Sequence, residues 1–207
     1  MLKKAGKYIF WIVLIAVVGY NSVYIKKLNE VKAAETKAFN AKDYARDYLY
    51  KKLPALYNKA PDMEQLIAAL KANPSSAFTT YSHSLNKGET GYFLVAGEGE
   101  VTRIDDSNTF IKLKGGSSVK LATEYIFGNT VRDAAGLISM DEFTNSMDIN
   151  NVSEEINKLI KTEVLPPFKE KVKKGDLVQF KGCIEMNQSS LKLEDIEIVP
   201  VALTIKN

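Results

Sequence analysis

The eighteen residues from Tyr8 to Ile25 carry no charged side chain; Lys3, Lys4 and Lys7 precede them and Lys26 follows. At a helical rise of about 1.5 Å per residue this run reaches about 27 Å, enough to cross a bilayer core. Tyr8, Trp11, Tyr20 and Tyr24 lie toward its two ends. Aromatic rings favour the headgroup region there, and Lys7 and Lys26 can snorkel outward. Three readings are open: an uncleaved signal anchor, a cleaved signal peptide, and a buried core helix. Val17-x-Gly19 is a poor cleavage site, so the working expectation is an anchor over residues 1–27. It would be embedded through residues 8–25, with its basic head inside and the body extracytoplasmic.

The same segment explains the overall charge. The chain has a formal net charge of +3, yet residues 1–27 hold five lysines and no acid, which leaves −2 for the rest. A nearly neutral body excludes nucleic acid as the main partner, because phosphate binding needs a concentrated basic surface. The single cysteine, Cys183, sits in an apolar strand-like run and is expected to be a small buried filler.

Residues 28–75 read as a helical segment continuing from the anchor. Phe39, Tyr44, Tyr48, Leu49, Leu53, Leu56 and Tyr57 recur at three- and four-residue intervals, and Met63, Leu66, Ile67 and Leu70 repeat the pattern after a break near Pro61. Asp62 is placed to cap that second helix, and Asn73-Pro74 to close it. From residue 76 onward the period changes to two. Tyr92–Ile104, Phe110–Lys114 and Val119–Leu121 read as three strands joined by tight turns, and Gly97 and Gly99 mark a bend or bulge in the first. A helical insertion at about 128–170 follows, with a helix over Asn151–Ile160 ending before Pro166-Pro167. Asp176–Ile184 and Leu191–Val199 then read as two further strands. Three strands, a helical insertion and two strands are the element order of a five-stranded OB-like barrel. The expected fold is therefore α+β: a membrane helix, a helical segment, and an OB-like barrel over 76–207.

Chemistry-bearing motifs are sparse. His83 has no second histidine or cysteine near it and reads as a solvated loop residue; no metal site or cofactor is expected. Asp105, Asp106 and Asn108 form a turn cluster. Asp141, Glu142 and Asp148 are the carboxylates that would serve glycan hydrolysis if held at a suitable separation, although Asp141-Glu142 also suits a helix start. Arginine is rare, at Arg46, Arg103 and Arg132 only, so each is worth attention as a bidentate carboxylate partner. Arg132-Asp133 admits two readings. One is a buried ion pair that pins the insertion to the barrel; the other is a contact to an anionic or sugar ligand at the barrel mouth.

Gly128-Asn129-Thr130-Val131-Arg132-Asp133-Ala134, then Met140-Asp141-Glu142-Phe143-Thr144-Asn145 and Val152 leading into a helix, resembles a bacterial family of predicted periplasmic lipoproteins of unknown function. Leu53-Pro54, Gly97-x-Gly99-x-Val101 and Val199-Pro200-Val201 extend the likeness from about Phe39 to Val201. The cysteine that a lipoprotein label calls for is missing near the N-terminus, which favours a protein anchor. Members of that family often sit beside sugar ABC-transporter genes. The resemblance thus implies a membrane-anchored extracytoplasmic binding or accessory module, with a solute-binding protein or permease as partner. The expected binding residues are Asn129, Thr130, Arg132, Asp133, Thr144 and Asn145. A cell-envelope glycan enzyme and an assembly scaffold using the aromatic helix are the alternatives.

Overall fold

Asn40 sets the first helix of the body. In the computed structural model, which describes residues 13–17, 39–85 and 88–206, its backbone is extended and its side chain accepts from the N–H groups of Lys42 and Asp43. Helix α1, Ala41–Asp47, therefore starts at this cap, and the expected helical stretch before Phe39 lies outside the described residues. Val13–Val17 is helical, and the rest of the expected anchor lies outside the described residues. Among the described residues no helix is long and apolar enough to cross a membrane.

Prolines inside two helical runs are absorbed without ending them. A proline inside a helix lacks its N–H, and its ring crowds the carbonyl four residues back. After α1 the helix widens into a π turn at Tyr48–Lys52, where the Leu53 N–H bonds to the Tyr48 carbonyl, and then tightens into a 3-10 turn at Leu53–Leu56 holding Pro54. The same solution recurs in the insertion. Helix α5, Ser146–Leu159, widens at Ile160–Val164 and continues as α6, Leu165–Lys169, with Pro166 in its first turn. Pro166-Pro167 thus does not end the helical run as expected, because proline fits the first turn, where N–H groups have no intrahelical partner.

Between these lie α2, Met63–Ala72, capped by Asp62 as expected, and α3, Pro74–Tyr81, in a stretch expected to leave helix. Asn73 ends α2 and caps α3 by accepting from the Ser76 N–H, with Pro74 next in the favoured first position. Asn73→Ala is expected to cost about 1 kcal/mol, read as a lower denaturant midpoint with unchanged slope. The short α4, Thr130–Ala134, precedes α5.

The six strands are β1 Ser82–His83, β2 Thr90–Ile104, β3 Asn108–Leu113, β4 Ser118–Ala122, β5 Leu177–Asn187 and β6 Ile196–Lys206. Their order is β1-β2-β3-β4-β6-β5, and β5 also pairs with β2. The β4–β6 seam is parallel and short, with Val119–Leu121 facing Ile196–Ile198. This is a partly open OB-like barrel. His83 falls on the added edge strand β1, not in a loop. The final strand starts later than the expected Leu191: Leu191 and Leu193 pack half-buried against the core from a loop, and the chain turns at Asp195, whose φ is 53°. The register of β2 shifts between Val101 and Arg103, so the bulge follows Gly99 and does not fall on the glycines. Gly97 and Gly99 serve close approach instead: a Cβ on Gly97 would lie 2.4 Å from Phe180 Cζ, and one on Gly99 2.3 Å from the Lys112 carbonyl.

Phe93, Val95, Ile111, Leu121, Phe180 and Ile198 fill the barrel, closed over by Met63, Leu66, Leu70 and Phe78 from α2 and α3 and by Phe168 from α6. Tyr48, Leu49 and Leu53 of the aromatic stripe are buried. The Tyr48 hydroxyl donates to the Val131 carbonyl at 2.7 Å, fastening the first helix to α4. Residues Asn40–Asn207 form one compact unit.

Candidate functional site

Gly128, at φ 81°, turns the chain after β4 into α4, and the five residues of α4 are all buried. The helical turn brings the neighbouring side chains of Arg132 and Asp133 together. Arg132 Nε donates to Asp133 Oδ1 at 2.6 Å and Nη2 to Oδ2 at 3.0 Å, while Nη1 reaches Ser153 Oγ on α5 at 3.1 Å. Asn129 Nδ2 donates to the same Asp133 carboxylate at 2.5 Å and to the Tyr92 hydroxyl at 3.0 Å. Thr130 Oγ1 donates to Glu185 at 3.3 Å. Tyr92 and Glu185 are themselves cross-strand partners on β2 and β5, so the network sits on one rung of the barrel. Burial raises the Tyr92 phenol above its ordinary value, against the opposing pull of the Asn129 amide.

The structure thus gathers Asn129, Thr130, Arg132 and Asp133 but not Thr144 and Asn145. Asn145 caps α5 by accepting from the Asp148 N–H, and the Thr144 hydroxyl donates to Asp148. Eight residues of helix separate Asn145 from Ser153, about 12 Å at the helical rise. The side-chain partners of Asp133 are accordingly Arg132 and Asn129, and not the Thr144-Asn145 segment.

Beside this network lies an open cleft of about 520 Å³ between the Ile126–Asn129 segment and α5. Arg132 forms part of its wall; three of its five N–H groups are engaged inside the network, leaving two. Asn150, Ser153 and Asn157 recur at three- and four-residue spacing, one face of α5, and line the same cleft. Asn157 Nδ2 donates to the Gly128 carbonyl at 2.8 Å and ties that face to the loop. Phe127 stands at the lip, 76% exposed. Of the charged lining residues, Glu154 and Lys161 oppose one another, and the charge of Arg132 is paired with Asp133 behind the wall. Asn150, Ser153, Asn157 and Phe127 were missed in the sequence, which carries no local signal that this row faces a neighbouring segment.

Of the carboxylates offered for hydrolysis, Glu142 and Asp148 are engaged in helix caps, and Asp141 is exposed beside them. Glu142 accepts from the Ser139 N–H at 2.9 Å and from the Tyr44 hydroxyl at 2.8 Å, forming a capping box, and Asp148 belongs to the α5 cap. Asp105 accepts from the Ser107 and Asn108 N–H groups, the expected turn. Each of the three arginines has a carboxylate partner: Glu163, Asp105 and Asp133. Among the described residues no group of three or more His, Cys, Asp or Glu side chains converges to hold a metal ion.

Comparison with solved structures finds an OB-fold protein from Thermotoga maritima at 27% identity, covering 82% of this chain and 99% of that one, with a TM-score of 0.73. No curated protein matches significantly. Cys183, the single cysteine, is fully buried in β5, and burial pushes its thiol well above the ordinary range; it is not placed to carry a lipid. A family model described as predicted periplasmic lipoprotein (DUF2291) matches residues 13–204. The body is accordingly extracytoplasmic, and the chain belongs to that family of predicted periplasmic lipoproteins.

Proposed function

We propose that the chain is a membrane-anchored, non-catalytic binding or accessory module whose cleft beside Arg132 receives a polar, uncharged ligand. The observation that carries this reading is the position of Arg132. Its guanidinium is locked by Asp133 and Ser153, yet two of its N–H groups remain on the wall of an open cleft lined by amides. A donor held in place before the ligand arrives loses little freedom on binding. The amides of Asn150 and Asn157 offer donors and acceptors suited to neighbouring hydroxyl groups, Asn129, with both N–H groups held by Asp133 and Tyr92, offers its carbonyl oxygen, and Phe127 offers a flat apolar face. These groups suit the hydroxyls of a saccharide, and the proposal extends to a part in carbohydrate uptake beside a solute-binding protein or permease.

The full-length protein in nanodiscs, titrated with a panel of mono- and oligosaccharides, should show a saturable rise in melting temperature with at least one of them. Phe127→Ala and Asn150→Ala lie at exposed positions, so each should abolish that rise while leaving the ligand-free stability within about 0.5 kcal/mol. A panel without any saturable shift would reject the ligand reading. Turnover of a saccharide, lost in Asp141→Asn, would replace it with the enzymatic one.

A further inference from the structure

A second cavity, of about 310 Å³, opens where the turn after Leu56 meets the end of α3, β1, β2 and the end of α4. It shares no lining residue with the cleft beside Arg132. Its walls are apolar: Leu56, Pro61, Leu94 and Leu137 surround it, and Ala60, Ala134 and Ala135 contribute side chains too short to fill the space. Two groups at the rim can meet negative charge. Lys59 and His83 are both exposed, and among the described residues neither side chain has a hydrogen-bond or ion-pair partner. No carboxylate is found among the described lining residues. The imidazole is held at the rim by Gly136: a Cβ there would lie 2.5 Å from Nδ1, and Gly136 has φ +61°, so backbone and ring fit only because that residue is glycine.

We propose that this cavity is a binding site for a small apolar monoanion, with its ring or short alkyl body among the alanines and its carboxylate between Lys59 and His83. A cavity at the lower end of the usual ligand-pocket range, mostly apolar and with a few polar groups gathered at one side, is the arrangement that orients such an amphiphile. The body gains by leaving water. The head gains a charge-assisted hydrogen bond from the ammonium.

The test uses the full-length protein in phosphatidylcholine nanodiscs and para-fluorobenzoate as probe, followed by fluorine NMR with empty nanodiscs as reference. Saturable binding is expected. Removing the charge from either side, by Lys59→Gln in the protein or para-fluorobenzyl alcohol as the probe, should weaken it roughly tenfold or more, the effect of losing one charge-assisted bond. Ala135→Leu should abolish binding by filling the cavity. If that buried substitution unfolds the chain, Leu137→Trp, at a half-buried position of the rim, blocks entry instead. Absence of saturable binding overturns the site, and so does binding indifferent to both Lys59→Gln and the blocking variant.

Discussion

Arg132→Ala is expected to lower the melting temperature of the full-length protein by roughly 6–20 °C. The side chains of Arg132 and Asp133 are 7% and 1% exposed. Truncating the arginine leaves Asp133 buried with only Asn129 as a side-chain donor, and such uncompensated burial costs about 3–5 kcal/mol. For a folded unit of this size each kcal/mol moves the midpoint by about 2–4 °C. Arg132→Lys should fall between alanine and wild type, since an ammonium cannot make the bidentate pair and reach Ser153 together. Calorimetry on the three proteins decides the matter: a loss under about 1 kcal/mol for alanine would show that the clasp contributes little, and the cleft would then lack the rigid donor assigned to it.

Phe180→Ala should cost a similar amount, about 3–5 kcal/mol, because it empties the middle of the barrel where the ring is 2% exposed. The more discriminating measurement is its coupling to Gly97. The two residues are cross-strand partners, and the ring occupies the space where a Gly97 side chain would stand. Gly97→Ala alone is expected to destabilise by about 1–3 kcal/mol through overpacking. In the Phe180→Ala background that penalty should vanish, giving a coupling energy of comparable size in a double-mutant cycle. Additive effects would mean that Gly97 is needed for its backbone and not for the room it gives the ring.

The period-two runs and turn clusters made the first three barrel strands legible, because alternation and Gly or Asp-Asn turns are local signals. Proline misled. Its local cost is real, but tertiary packing of the helices carries them through Pro54 and Pro166 by way of π turns, and no window of sequence contains that packing. Leu191 and Leu193 misled for a related reason: alternating apolar residues look alike whether they bond in a ladder or cover a core from a loop. At the candidate site, Arg132-Asp133 stood out by the rarity of arginine. Ser153 and Asn157 did not, since whether a polar residue on a helix faces solvent or a neighbour depends on elements distant in the chain.

The pairing of β2 with β5 constrains when the protein can fold. Thr90 meets Asn187 and Glu100 meets Leu177, and β6 must then lie between β4 and β5. Contacts this far apart in sequence require a large loop to close before any of them is rewarded, which places barrel formation among the slow, high-contact-order steps. A chain emerging N-terminus first can cover one edge of β2 with β1 and β3, but leaves the other exposed until its last thirty or so residues arrive. For a body that works outside the cytoplasmic membrane the consequence is that the barrel cannot be completed until β5 lies on the same side as β2.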